Sequence, residues 1–195
     1  MSIAHAINFF CLLGVDRDCV VEHSELFKAV SYSATEPLLA QGERQEFAFL
    51  ISSGIVQACH YSAAGAIRAK EYYFSNELCL LYSHWLCNTA SQYQLEALET
   101  VQAIRIPLQL LSLDPWQPAL LQLLKQQLLY KEAKEQLLLL NTPQQRYLHL
   151  IEHSPLWIEQ LNNLQIAHYI GISPISLSRI KSRMKRQQDK TSTPK

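Results

Sequence analysis

The run NLQIAHYIGISPISLSRIKSRMKR, Asn163–Arg186, decides the reading of this chain. Its spacing predicts two short helices around a tight turn. The first covers Leu164 to Ile170, with Asn163 expected as its N-cap. Gly171 supplies the left-handed conformation that ends a helix at low cost. Ser173-Pro174 starts the next: serine caps it, and proline takes the first helical position, where a missing N–H is not needed. In this second helix Leu177, Ile180 and Met184 form one apolar stripe. At about 100° per residue, Ile175, Ser178, Arg179, Ser182, Lys185 and Arg186 fall opposite it. A small, polar and cationic face of this kind suits a helix lying in the major groove of DNA.

Upstream, Thr142-Pro143-Gln144-Gln145 reads as a capping box opening a helix that Ser154-Pro155 closes. Residues 141–195 are thus expected to form the DNA-binding domain. Asp114-Pro115-Trp116-Gln117 reads as another helix start, with aspartate as cap, and that helix should run to about Leu140 and break at Asn141. Its leucines, including Leu120, Leu121, Leu124 and Leu128, cover more than one face. So wide an apolar arc needs cover on two sides. One side is expected on the preceding domain and the other on the same helix of a second copy, making 114–140 a dimerisation helix. A core helix of a monomer is the alternative.

Residues 1–113 have a different texture. Short helices are expected before residue 30. Strands are expected at Ala48–Ile51, Ile55–Tyr61, Ile67–Phe74, Tyr93–Leu98 and Val101–Ile106, parted by turns at Gln41-Gly42, Ser53-Gly54 and Ala64-Gly65. Glu77–Cys87 is expected as a short helix within the resulting roll. The fold class is therefore α+β, with an antiparallel sandwich or roll in front of a long helix and a helix-turn-helix end.

The formal net charge of zero hides an asymmetry. Residues 179–195 hold seven basic side chains against Asp189 alone, a net of +6, which leaves −6 on the remainder. A basic module on an acidic body fits a DNA-binding end joined to a domain with another task. No stretch has the length and apolarity of a membrane span, and the apolar N-terminus lacks a basic leader region. Five cysteines, an odd number in apolar surroundings, fit reduced thiols in a cytoplasmic protein. Paired carboxylates, phosphate-binding glycine loops and zinc-ligand spacings are not evident, so neither an enzyme nor a metal protein is expected.

The order of parts resembles the Crp–Fnr family of bacterial transcription regulators over nearly the whole chain. Gln165–Pro174 followed by Ser176–Ile180 is similar to the family's helix-turn-helix signature. In the roll, Gly42, Phe49–Gly54, Glu96–Glu99 and Ile104–Pro107 match the family pattern. The resemblance implies a cyclic-nucleotide-binding-type roll over 1–113, a homodimer on palindromic DNA, a winged helix-turn-helix, and contact with RNA polymerase as a further partner.

Cyclic-AMP-binding members carry a Gly-Glu pair and, later, an Arg-Ser pair. Here these align with Asn76-Glu77 and Ser91-Gln92, which mark the expected effector pocket, and no Lys or Arg lies within 71–104. A buried phosphate with neither cation nor backbone nest would be strongly disfavoured, so cyclic AMP is not the expected ligand. An iron–sulfur cluster is not expected, because Cys11 and Cys19 have no third and fourth thiolate nearby. Cys79, His84 and Cys87 offer a possible redox or haem site, but buried cysteine is more often a small hydrophobe. An unidentified small molecule, or none, is expected instead. In the recognition helix Pro174-Ile175 stands where well-known members have Arg-Glu. Ile175 suits a thymine methyl, and Arg179 suits bidentate contact with guanine. Ser173, Ser176, Ser178 and Ser182 suit phosphate or adaptable base contacts, while Lys181, Arg183, Lys185 and Arg186 read as backbone-positioning charges. Two rivals retain the fold: an effector-independent DNA binder and a protein-interaction module.

Overall fold

The computed structural model describes residues 3–191, with side chains to Gln187. It divides into two compact units, 1–128 and 129–195. The first opens with α1 (Ile3–Leu12) and α2 (Arg17–His23). Eight strands follow: β1 (Lys28–Tyr32), β2 (Pro37–Leu39), β3 (Phe47–Ser53), β4 (Val56–Tyr61), β5 (Ile67–Tyr73), β6 (Leu78–Cys79), β7 (Gln94–Ala97) and β8 (Val101–Pro107). The short helix α3 (Tyr82–Leu86) lies between β6 and β7. The strands form two four-stranded sheets, ordered β1-β8-β3-β6 and β2-β7-β4-β5, with antiparallel pairing throughout.

Alternation along the strands builds two cores. Phe49, Ile51, Val101 and Ala103 of one sheet meet Leu39, Val56, Ala58, Leu95 and Ala97 of the other between the layers. The intervening residues Ala48, Leu50, Ile104 and Ile106 point the other way, into a second core with Ala6, Phe10, Val20 and Trp116. Trp116 is fully buried at its centre, with the Phe10 ring edge-on at 4.9 Å.

All five expected strands are present within a residue or two of their expected bounds. Three more were not expected. β2 and β6 are too short to show a period, and in β1 (KAVSY) only Val30 and Tyr32 alternate inward, half-buried against the inter-sheet core, while Lys28, Ala29 and Ser31 are exposed. The expected helix Glu77–Cys87 is instead β6 followed by α3, because Leu78 and Cys79 pair with Leu50 and Phe49 of β3. Asp114 does not cap the long helix. Asp114–Trp116 is a 3-10 turn without a side-chain cap, and α4 runs from Gln117 to Leu140. The seam residues divide as well: Leu121 and Leu128 are 67% and 61% exposed, whereas Leu120 and Leu124 are half-buried, next to the buried face made by Ala119 and Leu123.

The second unit holds the last part of α4 and four further helices: α5 (Pro143–His153), α6 (Pro155–Gln160), α7 (Asn163–Tyr169) and α8 (Pro174–Thr191). No strand occurs after Pro107 among the described residues, so the expected β wing is absent there. The physical reason is composition. α6 occupies the stretch before the helix-turn-helix, and Lys181–Thr191, polar apart from Met184, extend α8 and offer no alternating apolar run.

Arg146 ties this unit together. Its Nε donates to Asn141 O at 3.0 Å, Nη1 to Ile170 O at 3.0 Å, and Nη2 to Leu138 O at 2.5 Å. Two of these carbonyls close α4 and the third closes α7, so one guanidinium sits where two helix dipoles end. Tyr130 and Tyr169 share a hydroxyl–hydroxyl bond of 2.7 Å, and Lys134 Nζ lies 3.9 Å from the centre of the Tyr169 ring. A hydrogen bond to a charged group contributes roughly 1.5–3 kcal/mol. Arg146→Met should therefore destabilise the unit by at least about 2 kcal/mol in urea unfolding, and Arg146→Lys should restore only part of that, since an ammonium lacks the planar fork. Unchanged stability in both variants would remove Arg146 from this role.

Candidate nucleic-acid interface

The helix-turn-helix is assembled by local chemistry at three points. α7 is capped by Asn162, not Asn163: the Asn162 side chain accepts from Gln165 N, and the Gln165 side chain accepts from Asn162 N. Asn163 is the first helical residue, and its side chain accepts a bond from Lys181 Nζ on α8. At the other end, Ile172 N donates to Ala167 O at 2.9 Å and Gly171 N to His168 O at 3.2 Å, the paired bonds of a Schellman turn. Gly171 has φ +72°, which an L side chain would strain. Ser173 then accepts from Ser176 N at 3.1 Å and caps α8 as expected.

α8 buries Leu177 and Ile180 and half-buries Met184. Ile175, Ser178, Arg179, Ser182, Arg183, Lys185 and Arg186 are exposed. Ile175 is 66% exposed, a branched apolar side chain facing outward amid polar ones. Ser173 is exposed and Ser176 half-buried, and their hydroxyls lie 2.9 Å apart at the helix start. Lys181 is placed differently from its basic neighbours. Its ammonium is engaged by Asn163 and lies 5.3 Å from the Tyr147 ring centre, and burial lowers its titration from the ordinary lysine range. It braces the motif from behind, a role that needs knowledge of which face α7 covers.

In the roll, the residues aligned with the nucleotide cassette serve the chain itself. Asn76 adopts φ +71°, so asparagine holds the left-handed turn that glycine would hold. Glu77 is exposed, and its carboxylate accepts from Phe74 N at 2.9 Å, closing the same turn. Ser91 is buried; its hydroxyl donates to Tyr93 O at 2.7 Å and accepts from Tyr93 N at 3.0 Å. Gln92 is exposed, and its backbone N–H donates to His84 Nε2 at 3.3 Å. A cation absent from 71–104 stands one residue outside that window: Lys70 Nζ lies 4.5 Å from the Tyr93 ring centre, and its charge, after burial, contributes to a lowered His84 titration. Cys79 is fully buried, with its thiol pushed well up by desolvation, and Cys87 is exposed. Among the described residues, no three His, Cys, Asp or Glu side chains come together as a metal site, and no helix is long and apolar enough to cross a membrane.

No protein-family model and no curated relative matches this chain. Solved structures do. FixK2 from Bradyrhizobium japonicum has a TM-score of 0.69 at 15% identity, over 83% of this chain and 86% of that one. A CooA variant from Carboxydothermus hydrogenoformans scores 0.64 at 13% identity, over 84% and 78%. The c-di-GMP-responsive global regulator CLP from Xanthomonas campestris scores 0.63 at 16% identity, over 89% and 93%. The likeness is one of fold, and the architecture implied by the resemblance to Crp–Fnr regulators, a β-roll followed by a long helix and a helix-turn-helix, is the one this chain adopts.

Proposed function

We propose that this chain is a non-enzymatic, sequence-specific DNA-binding transcription regulator that works as a homodimer on a palindromic operator. The observation that carries this is α8, whose exposed face bears Ile175, Ser178, Arg179, Ser182, Lys185 and Arg186 opposite a stripe in which Leu177 and Ile180 are buried and Met184 half-buried. The turn before it is fixed by Gly171 and the Ser173 cap, which orients that face rigidly. CLP, one of the structural neighbours, is a global regulator. In a dimer the two recognition helices would enter successive major grooves about 34 Å apart. Arg179 reads guanine, Ile175 meets a thymine methyl, and Lys185 and Arg186 neutralise phosphates. DNA selected by the purified full chain from random sequence should show a two-fold symmetric motif. An asymmetric motif, or none, would overturn the proposal.

The roll then acts as a scaffold or as the receptor for an effector other than cyclic AMP. Glu77 and Ser91 already spend their polar atoms on their own backbone, and the ammonium of Lys70 lies over Tyr93. Calorimetry with cyclic AMP should show no binding in the micromolar range. A micromolar dissociation constant would mean that Lys70, or backbone donors, replace the missing arginine.

Arg179→Ala should weaken operator binding and relax sequence preference, since a bidentate guanine contact contributes roughly 1–3 kcal/mol of discrimination. Lys185→Ala should weaken binding to operator and random DNA alike and lower the salt slope by about one per monomer. Titration on both DNAs at several salt concentrations separates the two. Equal losses on both DNAs for Arg179→Ala would exclude it from base reading.

The dimer seam should run along the exposed leucines of α4. Leu121→Lys combined with Leu128→Lys places charge there without entering the core, because both positions are largely exposed. Light scattering at micromolar concentration should then report a monomer. An unchanged dimer would place the seam elsewhere.

A further inference from the structure

The α5 histidines His149 and His153 stand at i and i+4, which puts them on one face, and both are exposed. Their rings are stacked, with centroids 4.1 Å apart and planes 18° from parallel. His153 Nδ1 lies 3.0 Å from His149 O. A carbonyl only accepts, so Nδ1 carries the proton and Nε2 is left as the lone-pair nitrogen. That bond is the kind of outer-shell contact that fixes the tautomer of a metal-bound histidine. The stretch His149-Leu150-Ile151-Glu152-His153 also has the H-x-x-E-H spacing of some helix-borne zinc sites.

The fold makes little use of these rings. The buried residues of α5 are Tyr147 and Leu150, on its other side. Two stacked rings at the surface add nothing to that packing. The expectation of no zinc-ligand spacing passed over this H-x-x-E-H stretch, whose two histidines supply two ligands only.

We propose that His149 and His153 form a two-imidazole chelate for a late first-row divalent cation, taking Cu2+ in preference to Ni2+ or Zn2+. The preference follows the usual order of affinity for nitrogen ligands. Such ions bind imidazole nitrogen at about 2.0–2.1 Å. Two lone pairs reach one ion at that radius once the exposed rings swing from stacked to convergent, with Nε2 of His153 as one donor. No third His, Cys, Asp or Glu joins them among the described residues. Water completes the coordination, and the bound ion is exchangeable. The chelate links two successive turns at the end of α5, so metal binding stabilises that end of the helix. The proposal does not depend on DNA binding by α8.

The test is titration of the full chain with Cu2+ in a non-coordinating buffer, read by calorimetry and pulsed electron paramagnetic resonance. The expected result is one tight Cu2+ per chain with two equatorial imidazole nitrogens. His149→Ala and His153→Ala should each weaken that site by at least about tenfold, since loss of an outer-shell partner alone has that effect. Each should also leave a single imidazole. His168→Ala, on α7, should change neither readout. A wild-type spectrum with fewer than two imidazoles overturns the proposal, as does a His149→Ala protein that keeps both the affinity and the two-nitrogen signature.

Discussion

Carbonyl groups at the end of a helix need donors from elsewhere, and in the C-terminal unit one guanidinium serves three of them. Arg146 reaches Leu138, Asn141 and Ile170, residues that close α4 and α7. The first carbonyls precede Arg146 by a few residues, whereas Ile170 follows it by 24. One side chain on α5 thereby sets where the turn of the helix-turn-helix lies relative to the end of α4. The Schellman turn at Gly171 and the cap at Ser173 then fix α8, and with it the outward face of Arg179. The placement of the exposed face of α8 thus rests on a charge carried by α5.

The parts of this architecture that were legible in the sequence are those with strong local causes. Gly171, the Thr142 capping box and the Ser173-Pro174 start each act within four residues, and the structure reproduces them. The buried stripe of α8 follows from period alone. Local rules fail where two candidates compete or where a partner strand decides. Asn162 and Asn163 are both good caps, and only the reciprocal bond with Gln165 selects the former. Strands β2 and β6 are held by their neighbours β7 and β3, a cause that no window of sequence contains. The wing was carried by the resemblance, and the polar, helix-forming residues after Ile180 did not support it.

The residues aligned with the nucleotide cassette show how alignment and geometry can part. Loss of glycine at Asn76 looks like loss of a turn, yet asparagine holds φ +71° and keeps it. Absence of arginine looks like absence of charge, yet Lys70 enters from β5, where the pairing skips Lys70 between the Ala58–Glu71 and Cys59–Ala69 partners. On the opposite face of the same sheet Gln57, Gln94 and Tyr61 all donate to the Glu96 carboxylate, so a polar network is sealed there with its partners satisfied. Neighbouring residues of one strand pair thus meet quite different demands.

The long helix α4 belongs to neither unit alone. Trp116, Ala119 and Leu123 anchor its start in the first unit, and Leu137 is buried near its end in the second. Between them Lys125, Gln126, Leu128 and Leu129 are exposed, and no cap or glycine interrupts the backbone ladder. Helix formation is cooperative, so the middle turns persist because turns on both sides persist. Amide hydrogens from Lys125 to Leu129 therefore exchange when either unit opens, and their protection follows the weaker of the two. A change that loosens the roll is felt as faster exchange in the turns of α4 that lead into the second unit, carried by continuity of one hydrogen-bond ladder.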